Sequence, residues 1–211
     1  MATFFKGPLG GFSGSIGPVI GSSWKELQVM RSQPGPRTGA PTPAQADQQA
    51  KFALAGGFMN DIKKLLDVTM ADSGNMSGFN IALQQILQDA ITGASNAWNI
   101  DYSKVLISQG DLFNAFGYSV ASAAAGKITW TWQASAGTDS ESPTDRAILV
   151  AYSADLGRAA YTLSGAARST GSDSLTVPVF SGKVVQTWLA FISTNGKEIA
   201  DSVFSGQLTV Q

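Results

Sequence analysis

The chain of 211 residues carries 14 basic and 15 acidic side chains, a net charge of −1, and neither cysteine nor histidine. Disulfides, thiolate nucleophiles, Ser-His-Asp and Cys-His catalysis, and zinc sites built on sulfur or imidazole are therefore excluded. Charged residues make up 14% of the chain, against roughly 25% in ordinary globular proteins. No strong field exists to recruit nucleic acid or an anionic membrane, and neither partner is expected.

The start "MATFFKGPLGG" lacks the apolar core of a secretory signal, and no run approaches the ~18 apolar residues that cross a bilayer. The chain is expected to be cytoplasmic when made; if it works outside the cell, it leaves by lysis, by a dedicated machine or inside a particle. Residues 7–25, "GPLGGFSGSIGPVIGSSWK", hold six glycines among Leu9, Phe12, Ile16, Val19, Ile20 and Trp24. The stretch is too glycine-rich for a helix and too apolar for a linker. Glycine weakens a strand, and a chain accepts that where another backbone comes close or φ must be positive. The expectation is an extended arm that pairs as a β-ribbon with its own body or with a neighbouring subunit. Its contact residues would be Gly10, Gly11, Phe12, Gly14, Ile16, Gly17, Val19, Ile20, Gly21 and Trp24. Residues 1–40 hold four basic side chains against Glu26, a net of +3, and the remainder nets −4. That asymmetry favours head-to-tail contact between subunits.

Residues 33–43, "QPGPRTGAPTP", read as a polyproline-like hinge. Thr42, Pro43 and Gln45 form a helix-start signature. Leu54, Phe58, Ile62, Leu65 and Leu66 follow at helical spacing, with Gly56-Gly57 as an expected interruption. After a turn at 71–78 a second helix runs through Phe79, Leu83, Ile86, Leu87 and Ala90, and Gly93 is expected to stop it.

From Asn99 the period becomes two. Strands are predicted at 100–108, 116–123, 126–134, 145–153, 158–164, 173–179, 183–193 and 197–210, with Asn195-Gly196 as a two-residue type I′ turn. The fold class is α+β: a glycine-rich β arm with its hinge over 1–41, a helical region with a following strand over 42–111, and a β-sandwich over 112–211. The strand order and lengths of the last part resemble an immunoglobulin-like, fibronectin type III module.

The segments "GGFSGSIGPVIGSSWK", "MRSQP", "PAQADQQAKFAL", "IDYSKVLIS" and "GKEIADSV" together resemble an uncharacterised Bacteroidetes-type family, a domain of unknown function similar in length to this chain. The resemblance covers nearly the whole chain and implies one unit in which the arm is part of the design. It transfers no activity.

Candidate chemistry is sparse. Asp139, Glu141 and Asp145 could offer oxygens to Ca²⁺, but they lack the spacing and glycine of a known calcium loop. Solvated turn residues explain them as well. Asp61, Asp67, Asp101 and Asp111 show no facing pair of the kind a glycosidase needs. The Ser22–Lys25 "SSWK" and the Gly-rich stretch lack the companion motifs of Ser-Lys hydrolases and phosphate loops. Trp130, Trp132, Tyr152 and Trp188 are candidate ligand-facing aromatics for a glycan, against the commoner placement of such residues in a sandwich core. No cofactor and no catalytic residue is expected. The expected function is a non-enzymatic structural subunit, homo-oligomeric or joined to other structural proteins in a virion-like or injection-particle-like particle or filament. The alternative is a monomeric glycan- or protein-binding module.

Overall fold

The computed structural model describes residues 3–4, 11–24, 27–36, 39–70, 76–95, 97–135 and 141–211. The chain divides into two units, Met1–Thr42 and Pro43–Gln211.

The first unit is an antiparallel meander of four strands: β1 (Thr3–Phe4), β2 (Phe12–Ile16), β3 (Val19–Trp24) and β4 (Leu27–Ser32), in spatial order β1-β2-β3-β4. The expected extended ribbon is thus replaced by strands that pair with each other, and two glycines explain how. Ile16 pairs with Val19 across Gly17-Pro18, and Gly17 has φ +56°. Proline holds its own φ negative, so the two-residue turn is of the II′ kind, which needs glycine first and matches the twist of a hairpin. Gly21 pairs with Gly14 and lies beneath Phe12, where a Cβ would fall 2.4 Å from the Phe12 carbonyl oxygen and 2.7 Å from its ring. The ring occupies the space that the missing side chain leaves.

In the second unit, α1 (Pro43–Asp61), α2 (Lys63–Thr69) and α3 (Gly78–Gln85) form a helical layer, and a π-helical turn at Ile86–Ala90 extends α3. Gly56 and Gly57 do not interrupt α1, and open space surrounds both. The break comes at Ile62, whose φ of −105° and ψ of 11° leave the helical region. Nor does Gly93 stop the second helix. That helix ends at Ala90 and Gly93 lies inside a hairpin, β5 (Ile91–Ala94) with β6 (Ala97–Ile100).

The strand expected over 100–108 is a second correction. Asp101 accepts hydrogen bonds from the Ser103 amide (3.2 Å) and hydroxyl (2.5 Å) and turns the chain into a 3-10 helix, Tyr102–Lys104. The alternation of Val105 and Ile107 survives, because both are buried, but on irregular backbone.

Seven strands follow: β7 (Ser119–Ala124), β8 (Lys127–Thr131), β9 (Arg146–Ser153), β10 (Arg158–Thr162), β11 (Ser172–Thr176), β12 (Val184–Ile192) and β13 (Val203–Thr209). They make two antiparallel sheets, β10-β9-β12-β13 and β11-β8-β7, the two layers of a β-sandwich within an α+β fold. The turn after β12 departs from a two-residue hairpin. Ser193 donates its amide to the Glu198 carbonyl, so four residues form the loop, and Gly196 takes its left-handed position at φ +72°. Regular pairing of the return strand begins only at Val203.

β9 and β12 are the centre of this unit. Successive strand residues point to opposite faces. Ile148, Val150, Tyr152, Trp188, Ala190 and Ile192 pack with the helices, among them Phe58, Met59, Ile62 and Leu65. Ala147, Leu149, Ala151, Val185, Leu189 and Phe191 pack with Ile128, Trp130 and Trp132 of the second sheet. Three layers result, one of helices and two of strands. The unbroken apolar run "AILVAYS" is what a strand covered on both faces requires.

Candidate functional site

Pairing in the N-terminal sheet sets Ile16, Val19 and Met30 on one face and Ile20, Leu27 and Val29 on the other. Ile16, Leu27, Val29 and Met30 are 42%, 59%, 47% and 71% exposed. Among the side chains described in this unit, Gly21 is the one buried residue. Of the expected contact residues, Gly11, Phe12, Gly14, Val19 and Ile20 are part-buried, Ile16 and Gly17 are exposed, and the backbone of Trp24 ends β3. Gly10 lies outside the described residues.

The four candidate glycan-facing aromatics are placed differently from that reading. Trp130 and Trp132 are 0% and 5% exposed between the two sheets. Tyr152 and Trp188 are 5% and 0% exposed beneath the helices, where Phe58 meets both edge-on or tilted. Their faces are used in packing, so they form no sugar platform. The indole of Trp188 donates to the Val105 carbonyl (3.1 Å), and that of Trp132 to the Arg168 carbonyl (2.8 Å). Exposed aromatics lie elsewhere, at Phe113, Phe116 and Tyr118 in the segment that leads into β7.

The carboxylate cluster resolves into an ion network. Arg168 is fully buried. It donates from Nη1 to Glu141 Oε2 (3.1 Å) and from Nη2 to the Phe113 carbonyl (2.7 Å), and its Nε lies 3.4 Å from Asp145 Oδ2. Its guanidinium stacks on Phe191, 4.1 Å from the ring centre. Burial pushes the Arg168 guanidinium below its ordinary value, and Glu141 and Asp145 oppose that shift. Ser135 donates to the second oxygen of Glu141, and the Ser142 amide to Asp145 (2.8 Å). These carboxylates are turned toward a guanidinium, which corrects the solvated-turn and calcium readings for Glu141 and Asp145. Asp139 lies outside the described residues, and among the described residues no cluster of three metal-type side chains occurs.

The network forms the floor of a pocket of about 270 Å³ with Phe116 and Gln133 on its walls. It ties three segments together at one end of the sandwich, and its charges are directed at one another. Sequence reasoning missed Arg168. The available signal was its isolation, since it is the only charged residue between Arg158 and Asp173. A second pocket, of about 580 Å³, brings Asp111 and Asp201 into one lining with Gln84 and Gln109. There Asp201 accepts a hydrogen bond from the Gly110 amide (2.9 Å).

Taken together, the strand order and the two cores define an α+β protein built on an antiparallel β-sandwich. The chain belongs to a family of unknown function, DUF6266, whose profile matches residues 11–206. No curated protein matches it in sequence. Among solved structures it is similar to the fn3 domain of the human collagen alpha-1(XX) chain, at 10% identity and a TM-score of 0.36, over 49% of this chain and 89% of that one.

Proposed function

We propose that this protein is a non-enzymatic structural subunit that associates with copies of itself through its N-terminal sheet, as a component of a larger particle or filament. One observation carries the reading. The sheet of residues 1–42 is regularly paired, yet among its described side chains only a glycine is buried, and Leu27, Val29 and Met30 stand exposed. A meander needs a covered apolar face to be stable, and contiguous exposed apolar residues mark association surfaces. A sequence under selection for solubility alone would place polar residues at these three positions.

The test is the light-scattering mass, with negative-stain imaging, of the full chain and of a chain beginning at Ala40. A defined oligomer or filament that falls to monomer without the first 39 residues is the expected result. A monomer in both cases removes the reading. The exposed Phe113, Phe116 and Tyr118 favour the second reading, a monomeric module that docks a protein or glycan on that rim. Ligand screening of the chain against its Phe116→Ala variant then separates that function from none.

A further inference from the structure

The geometry points to the outer edge of β4, which no described strand covers, as the contact, pairing antiparallel with β4 of a second copy about a two-fold axis to make one continuous eight-stranded sheet. This inference rests on the self-association proposed above and names its surface.

The outer strands of the sheets are guarded unequally. An unpaired edge is a row of free amides and carbonyls that templates another strand, and proteins blunt it with charge, bulges or shortness. The edges of the sandwich carry these devices. β10 opens with exposed Arg158, and β11 holds Asp173. β7 pairs with a register break between Ala121 and Ala124. β12 breaks register against β13 between Thr187 and Trp188, and Gly206 of β13 has φ +129°. At the far side of the N-terminal sheet, β1 is two residues long. β4 has none of these protections over Leu27–Met30. Its six residues pair with β3 in unbroken register, without proline or bulge, and its one charge is Arg31.

A second β4 fits this edge better than the other edges available. A two-fold axis normal to the sheet keeps each face on its own side, so facing residues must share a face. Every register centred on a β4 residue satisfies that, and two of them pair the most residues of Leu27–Ser32. One centres on Val29 and sets Leu27 opposite Arg31; the other centres on Met30 and sets Val29 opposite Arg31. Both keep the two Arg31 side chains apart, and both continue the face that carries exposed Leu27 and Val29 from one copy to the next, with exposed Met30 on the opposite face. Closed two-fold contacts of this isologous kind are the commonest in oligomers. The arms each carry a net of +3, so the pairing works against like charge and strengthens as salt rises. Docking of a basic arm on the acidic body of another copy would weaken with salt.

The native chain has no cysteine, so a single introduced thiol reports without background. Directly opposed antiparallel residues lie about 4.5–5.5 Å apart at Cα, within disulfide reach. The experiment compares the full-length variants Val29→Cys and Met30→Cys with Leu156→Cys, an exposed control in the turn after β9, under mild oxidation. It adds light scattering of Val29→Lys across a salt series. The expected result is rapid covalent dimer from one of the two β4 thiols, little from the control, an association of the native chain that strengthens as salt rises, and at least a tenfold weaker association for Val29→Lys. An oligomer that persists in Val29→Lys, weakens with salt and gives no β4 disulfide overturns the edge pairing while leaving self-association standing. A monomeric wild-type chain at every concentration and salt overturns both.

Discussion

The guanidinium carbon of Arg168 lies 4.1 Å from the centre of the Phe191 ring, while the same side chain holds Glu141 and the Phe113 carbonyl. A cation inside a sandwich is tolerated because two carboxylates, a carbonyl and an aromatic face replace its water. Its removal is costly for the complementary reason: Glu141 and Asp145 remain behind, little exposed and without their counter-charge. Arg168→Met is expected to lower stability by about 3–5 kcal/mol, the usual cost of breaking a buried pair from one side. Arg168→Lys should recover only part of it, since an ammonium cannot make the planar fork. Urea unfolding midpoints of the variants check this, and a Met variant as stable as the native chain would make the network dispensable.

The buried tryptophans differ in one respect that a mutation series can read. Trp188 donates its indole N–H to Val105, whereas the indole N–H of Trp130, also fully buried, has no hydrogen-bond partner among the described residues. Trp188→Phe loses volume and leaves a buried carbonyl without its donor, worth about 1–3 kcal/mol beyond the packing loss. Trp130→Phe loses similar volume but also removes an unsatisfied donor. Trp188→Phe is therefore expected to destabilise more than Trp130→Phe, by calorimetry or denaturant titration. Equal losses would mean that packing alone decides.

What the sequence discloses divides along the range of the interaction. Period-two alternation in Ile128, Trp130 and Trp132, and the unbroken run in β9, are local signals, and both mark strands at the positions found. The layer order is not local. Val150 and Leu149 are adjacent and equally apolar, yet one meets helices and the other a sheet. At Asp101 a side-chain hydrogen bond outweighs the alternation that follows it. In the N-terminal stretch the glycines are legible as backbone devices, but their partners are not. The sequence does not say that Gly21 makes room for Phe12 of the preceding strand instead of a neighbouring subunit. Arg168 is hardest to foresee, because the three segments it joins are separated by up to 55 residues.

Alkaline pH probes the seam between helices and sheet. Tyr102 sits against Phe58, Tyr152 and Trp188, and burial, with Tyr152 adding, pushes its hydroxyl up to about 12. An unfolded tyrosine ionises near 10. The folded state thus holds this proton more tightly than the unfolded one. Its contribution to stability is complete below about pH 10 and is lost as pH rises toward 12. Tyr152 is also raised, chiefly by burial, and acts in the same direction. Denaturant midpoints between pH 8 and 11.5 should fall more steeply in the native chain than in Tyr102→Phe. Parallel curves would assign the alkaline loss to other groups.

The N-terminal sheet can be disabled at a single atom. A Cβ on Gly21 would stand 2.4 Å from the Phe12 carbonyl oxygen, which is backbone and cannot swing aside. Gly21→Ala must therefore move β2 away from β3, and Gly21→Val must move it further. The two buried clusters of residues 43–211 are made, among the described residues, of side chains from that unit. Hydrogen exchange of the amides of 12–32 is expected to accelerate in both variants, while the main melting transition stays in place. If association runs through this sheet, the light-scattering mass falls in both variants, and further in Gly21→Val than in Gly21→Ala. Accelerated exchange with an unchanged mass would separate the sheet from assembly. Unchanged exchange would mean that the Phe12–Gly21 contact does not hold β2 in place.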